Sequence, residues 1–337
     1  MQSTKCKKIK SMNKHVLLIG GGGYIGTVVS KYLLDSGCKV RILDNFIYQN
    51  FNAIKDLKGI KNFSFFEGNF AHEADIKKSI QDITDVVILG GLVGDPITKK
   101  YPKLHKKINV DGMKNCLSTL ERNSFDKLIF ISTCSNYGLI SNQEIADESF
   151  ALKPLSLYAK AKVDIENLIL SYRNKNINFE PVILRFATAF GDSPRMRFDL
   201  TINEFAYELL KGNELTVYDA DTWRPYCHVN DFSRLIFQVI KYTKNNLSFE
   251  VFNAGSDENN FTKRQIAEML SKKIPGSKIN FKEGDVDPRN YRVNFKKLSK
   301  IGFYIKHNVK DEIENLIEFI NKNNFKDKKL YGNYEIK

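Results

Sequence analysis

Between Lys14 and about residue 190, short runs of aliphatic and β-branched residues alternate with longer stretches whose apolar positions recur every three or four residues. That alternation marks βαβ units, in which each crossover helix returns the chain to lay the next strand parallel to the last. HVLLIG (15–20) predicts the first strand, YIGTVVSKYLLDSG (24–37) the helix after it, and CKVRILD (38–44) the second strand. FSFFEG (63–68), DVVILG (85–90), KLIFIST (127–133) and PVILRFA (181–187) predict further strands, with helical periodicity over 103–122 and 156–173. The order predicts an α/β fold built on a doubly wound parallel sheet, whose ligand lies beyond the carboxyl ends of the strands.

Past residue 190 the regular alternation stops. FDLTINEFAYELLKG, RQIAEMLSKKI and DEIENLIEFINK have helical spacing, and LTVYD predicts a short strand. The reading is a sheet domain over 14–190 and a smaller C-terminal α+β lobe over 191–325, with FEVFNAG (249–255) returning to the main sheet. Residues 1–13 and 326–337 read as loose tails, and no internal repeat is present.

Composition removes several alternatives. Hydrophobic residues make up 42% and charged residues 27%, which excludes a disordered, collagenous or coiled-coil chain. No run approaches the roughly 18 apolar residues of a membrane helix, and HVLLIG is too short for a secretory core, so a cytoplasmic protein without a membrane partner is expected. Cys6, Cys38, Cys116, Cys134 and Cys227 are scattered and odd in number, which suits neither a disulfide framework nor a zinc site. The net charge of +13 would suit nucleic acid. Five of those charges (Lys5, Lys7, Lys8, Lys10 and Lys14) lie in the first fourteen residues, however, and the rest are dispersed. No nucleic-acid partner is expected; a few Arg and Lys around a small anionic substrate explain the charge better.

The chemistry begins at IGGGGYIG (19–26), where the first strand gives way to its helix. Glycines at 20, 23 and 26 suit a turn that needs φ > 0, backbone approach to a pyrophosphate and close packing of helix on strand. Asp44 ends the next strand, 18 residues after Gly26. A carboxylate there accepts hydrogen bonds from a ribose 2′-OH and repels a 2′-phosphate, which favours NAD over NADP. YAKAK (158–162) sets Tyr158 and Lys162 one helical turn apart. A phenol has a pKa near 10, and a neighbouring ammonium together with an oxidised nicotinamide would lower it, so that Tyr158 could take a proton from a sugar hydroxyl. Thr133 ends the strand of FISTCSNYG and could hold the substrate oxygen, or could instead only cap the following turn.

Taken in order, these motifs resemble the extended short-chain dehydrogenase/reductase family, in particular its nucleotide-sugar epimerases and dehydratases. The resemblance runs from about residue 14 to about 320. It implies a Rossmann-type sheet binding NAD, a C-terminal lobe gripping a nucleoside-diphosphate sugar, a homodimer, and catalysis by Thr133, Tyr158 and Lys162. It implies cofactor contacts from Gly20, Gly23, Tyr24, Ile25, Gly26, Asp44, Asn45, Asn69, Phe70, Leu89, Gly90, Gly91 and Asn109, with Tyr158 and Lys162 beside them. Substrate contacts are implied for Thr188 in RFATAFG, Arg224 in WRPYCHVND, and Arg289 and Arg292 in DPRNYR, since guanidinium binds phosphate oxygens bidentately. The chain departs from the family's 4,6-dehydratases, which carry Asp-Glu directly after the Thr; here Cys134 and Ser135 follow Thr133. The implied reaction is therefore oxidation of a sugar hydroxyl at C4, as a 4-epimerase passing through a transient ketone. A dehydrogenase releasing a keto sugar, for example from a GDP-hexose or GDP-heptose, is the alternative. A non-enzymatic NAD-sensing or RNA-associated protein is the more remote one.

Overall fold

The computed structural model describes residues 13–244, 247–284 and 289–336. Seven parallel strands form the main sheet in the order β3-β2-β1-β4-β5-β6-β10. They are β1 (His15–Ile19), β2 (Lys39–Asp44), β3 (Phe63–Glu67), β4 (Asp85–Ile88), β5 (Ser124–Thr133), β6 (Asn178–Phe186) and β10 (Glu250–Ala254). The register sets Ile19 beside both Leu43 and Ile88, and Thr133 beside Phe186, so the carboxyl ends share one edge. The strand order reverses between β1 and β4, which opens a crevice at that edge.

Helices cover both faces, as strands with apolar side chains on both sides require. On one face lie α1 (Tyr24–Asp35) and α8 (Val229–Lys241), burying Val29, Leu33, Leu235, Ile236 and Val239. On the other lie α2 (Glu73–Ser79), α5 (Met113–Glu121) and α6 (Leu157–Ser171), with Ile76, Leu117, Ile165 and Ile169 in the core. The second lobe contains α7 (Thr201–Leu210), α9 (Lys263–Lys273) and α10 (Val309–Asn323). Its strands are β7 (Thr188–Phe190), β8 (Glu214–Tyr218), β9 (Trp223–His228), β11 (Asn260–Thr262) and β12 (Lys278–Lys282). β7, β9 and β11 make one small sheet, and β8 with β12 another.

Three sequence expectations change. The chain returns to the main sheet with α8 as well as β10, so residues 229–254 pack with the N-terminal half and no clean division falls at 190. The helix expected over 103–122 is present and continuous over 102–121, but it is not α-helical throughout. After α3 (Asp95–Lys100) and α4 (Pro102–His105) comes a π-helical turn, Lys106–Gly112, which leads into α5. The C-terminal residues do not hang loose: Phe325 and Tyr331 pack against Phe198, and the Phe198 N–H donates to the Tyr331 carbonyl. The other tail lies outside the described residues except for its last residue, Asn13. No described helix is long and apolar enough to cross a membrane.

Candidate active site

The glycine turn between β1 and α1 is constrained by its neighbours. Gly20 has φ +81°, and a Cβ there would sit 2.4 Å from the Gly90 Cα, so the turns after β1 and β4 touch backbone to backbone. At Gly26 a Cβ would fall 2.5 Å from Gly21, so the first turn of α1 packs directly on the glycine turn that leaves β1. Gly23 differs: it caps α1 in an extended conformation, and an added Cβ would meet only the Gly20 carbonyl at 3.4 Å. Its neighbour Gly22 is packed instead against the protein: its N–H donates to Asp44 Oδ2 at 2.9 Å, and its absent side chain leaves room for Phe46. No side chain caps α1, so its first N–H groups and its dipole remain available to an anion.

Beyond this turn opens a cleft of about 860 Å³ lined by Gly20, Gly23, Tyr24, Ile25, Gly26, Asp44, Asn45, Phe70, Leu89, Gly90 and Gly91, with Tyr158 and Lys162 at its far end. Asp44 ends β2 and also accepts from the Phe46 N–H at 2.8 Å. Burial raises its carboxyl above the usual range, opposed by these two backbone donors and by Arg195. Asn69 stands apart from the cleft wall, and Asn109 lines a smaller pocket that shares Gly90, Gly91, Tyr158 and Lys162 with the cleft. Asn69 does not line the cleft; its side-chain oxygen accepts from the Ala71 N–H at 2.9 Å and its own N–H donates to Asp75, so it shapes a turn. Asn109 sits in the π-helical turn and clamps Leu92, accepting from its N–H at 2.7 Å and donating to its carbonyl at 2.8 Å. It thereby fixes the loop after β4, where Gly91 has φ +134°.

A second cavity of about 1030 Å³ adjoins the first, lined by Thr133, Tyr158, Thr188, Arg197, Arg224 and Arg289 among others. Tyr158 walls both spaces. It is the second residue of α6, a helix started by Ser156, whose hydroxyl accepts from the Ala159 N–H. Lys162, one turn on, is buried; its Nζ donates to the Ile131 carbonyl at 2.6 Å and lies 4.6 Å from the Phe130 ring centroid and 5.8 Å from that of Tyr158. Burial lowers its pKa to about 8. Burial likewise pushes the Tyr158 phenol up, reinforced by Asp95 and opposed by Arg197 and Arg289. The lowered phenol expected from sequence is thus not produced by the side chains around it, because desolvation of the phenolate outweighs them. Thr133 accepts the Ser135 N–H at 3.1 Å, so it caps the turn and also faces the cavity with a hydroxyl that still has a proton to donate.

The arginines divide. Arg224 is buried, donating to the Trp223 carbonyl at 2.7 Å and lying over the Tyr291 ring. Arg289 pairs with Asp95 at 2.5 Å. Arg292 is a correction: it is not in the cavity wall but stacks on Trp223 and donates to the Asn142 carbonyl. Asp287 and Pro288 of the same motif lie outside the described residues. Sequence reasoning passed over Arg195 and Arg197, which follow β7 in SPRMRFD and line the cleft, Arg197 also facing the second cavity. Burial and the neighbouring Arg197 bring Arg195 down to about 10. Two arginines so close, directly after a strand of the small lobe, were the available signal.

Residues 16–255 match the NAD dependent epimerase/dehydratase family, and the chain belongs to that family. A UDP-glucuronate 4-epimerase of Thermodesulfobacterium geofontis is 25% identical over 81% of this chain and 85% of its own length. Among solved structures, the UDP-glucuronic acid 4-epimerase of Bacillus cereus, in complex with UDP-glucuronic acid and NAD, has a TM-score of 0.80 at 25% identity, covering 91% of this chain and 99% of that one. The dTDP-glucose 4,6-dehydratase of Bacillus anthracis, in complex with NAD, has a TM-score of 0.81 at 22% identity, covering 94% and 99%. The family's dependence on NAD makes that dinucleotide the cofactor, and the cleft fits it. Gly23, where an added Cβ would meet only the Gly20 carbonyl, leaves room for close backbone approach, the uncapped start of α1 offers N–H groups to a pyrophosphate, and Asp44 keeps acceptor capacity for ribose hydroxyls.

Proposed function

We propose that this member of the NAD dependent epimerase/dehydratase family inverts C4 of a nucleoside-diphosphate sugar through a transient 4-keto sugar. The observation that carries the reading is that Tyr158 walls both the dinucleotide cleft and the adjoining cavity, with Thr133 in the wall of the same cavity. Held by the glycine turn and Asp44, NAD would supply reversible hydride acceptance from the sugar carbon. Thr133 donates its hydroxyl proton to the substrate oxygen and fixes its direction. Tyr158, as phenolate, takes the proton of the sugar hydroxyl and gives it back when the alcohol re-forms. Lys162 supplies the positive charge that favours the phenolate against the cost of burial. Arg224 and Arg289 hold the diphosphate.

Elimination of water is not part of the proposal. Among the described residues, the carboxylates in the cavity wall, Asp95 and Asp199, are paired with Arg289 and Arg197. After Thr133, the Cys134 thiol is buried and donates to the Arg185 carbonyl, while Ser135 is hydrogen bonded to Tyr291. These pairings support leaving dehydration out of the reading, since that reaction needs a free acid and base.

The test incubates purified protein with UDP-, GDP-, CDP- and dTDP-sugars and separates the products. A C4 epimer without net reduced cofactor is expected. Ketone accumulating with NADH would mean the dehydrogenase reading, and a 4-keto-6-deoxy sugar would mean dehydration. Tyr158→Phe should retain NAD and lose at least about a hundredfold in kcat. The same reading includes a homodimer, checked by light scattering.

A further inference from the structure

The C-terminal segment places one residue, Asn333, in the wall of the dinucleotide cleft, and the contacts around it converge on that side chain. The segment is anchored beforehand: Lys328 pairs with Glu204 at 3.1 Å on α7, and Tyr331 stacks edge-on against Phe325. From there the chain passes between two loops of the site. Arg195, in the cleft wall, donates to the Gly332 carbonyl at 3.3 Å. The Asn333 N–H donates to the Asp199 carboxylate. Its side-chain Nδ2 donates to the Val93 carbonyl at 2.8 Å, on the loop after β4. That bond fixes which way the amide faces, because only the nitrogen can donate to a carbonyl. Asn333 is 6% exposed and lines the cleft, yet its Oδ1 is buried without a hydrogen-bond partner among the described residues. A buried amide oxygen without a donor costs the free energy of a lost hydrogen bond, so a donor is to be expected from whatever fills the cleft. NAD carries such donors in its ribose hydroxyls and its carboxamide.

From these contacts we infer that the segment 331–335 holds Asn333 in the wall of the cofactor site and that Asn333 Oδ1 accepts a hydrogen bond from bound dinucleotide, which slows its release. The inference rests on the NAD cleft and not on the C4 chemistry. A wall of this kind suits an enzyme that reuses one cofactor molecule in both halves of a turnover, because the reduced form must stay until the ketone has turned.

The experiment measures NADH release without any sugar. Protein loaded with NADH is mixed with excess NAD in a stopped-flow fluorimeter, and the loss of bound-NADH fluorescence gives the release rate. Asn333→Leu keeps the volume and removes the acceptor; its rate should rise at least about tenfold. A chain ending at Leu330 should release NADH faster still. Circular dichroism and thermal melts establish that each variant is folded. A folded Asn333→Leu protein that releases NADH within twofold of the unaltered rate overturns the inference; if that variant fails to fold, the same result for the shortened chain does so. Failure of C4 epimerisation in the sugar assay leaves these rates unaffected, so the two proposals fail separately.

Discussion

Lys162 bears an electrostatic cost whose sign can be read out with pH. Burial brings its amine down to about 8 in the fold, from an ordinary value of 10.5. Below about 8 the folded and unfolded chains both carry the proton, and the full burial penalty applies. Between about 8 and 10.5 the unfolded chain binds more protons than the native one, so stability rises with pH across that window. Lys162→Met lacks the titration. The stability difference between the unaltered chain and this variant should therefore move in favour of the unaltered chain, by at most about 1.4 kcal/mol per pH unit. Urea unfolding at pH 7, 8, 9 and 10 checks it, and a constant difference would mean that Lys162 is not desolvated. The same residue shows how much of the site was legible. Spacing alone places Tyr158 and Lys162 one turn apart. What spacing does not reveal is that Lys162 donates to a backbone carbonyl on β5 and that burial raises the phenol, because both depend on a sheet that meets the helix only in three dimensions.

At the scale of elements, the position of Thr133 relative to Tyr158 depends on a buried polar network behind them. Glu166, one turn past Lys162 on α6, accepts from Ser132 beside Thr133, from Asn136 at 2.9 Å and from Arg185 of β6 at 2.7 Å. Tyr137, at the end of the turn that Thr133 caps, donates to Asn253 of β10 at 2.7 Å. One carboxylate thus ties α6 to the carboxyl ends of β5 and β6. Glu166→Ala would leave Arg185 buried and unpaired and should cost about 3–5 kcal/mol, seen as a fall in the urea midpoint. Glu166→Gln, which keeps an acceptor and the volume, should fold with a smaller loss and lower kcat while leaving KM for the sugar close to unchanged; an unchanged kcat would mean that the network is structural only. The elements themselves were mostly foreseeable, since β1 to β6 follow from runs of aliphatic residues in a βαβ rhythm. The π-helical turn of Lys106–Gly112 was not: it preserves the apolar spacing of a helix nearly intact, and its function, carrying Asn109 to Leu92, lies in a contact 17 residues away.

For the whole molecule, the point at which periodicity stops is not the point at which one half ends. Residue 190 is where the alternation fails in the sequence, yet the main sheet is completed by β10 and covered by α8 from beyond it. Phe232 of α8 stacks on Phe186 of β6 with ring centroids 3.6 Å apart, and Phe252 of β10 is buried in the same core. A chain cut after residue 190 would expose β6 as an unpaired, strongly apolar edge and strip α1 of its packing partner α8. Fully burying one such side chain is worth roughly 1.5–3 kcal/mol, and at least five are lost together on α8 alone (Phe232, Leu235, Ile236, Val239 and Ile240), against a total stability of about 5–15 kcal/mol. Residues 13–190 expressed alone should therefore fail to fold, appearing as aggregate or without near-ultraviolet circular dichroism, and should not bind NADH. The intact chain should melt in one transition, because the core that holds the dinucleotide turn also includes residues that follow the small lobe's first strands. A soluble, NADH-binding fragment of 13–190 would show that the returning segment decorates the sheet instead of completing it.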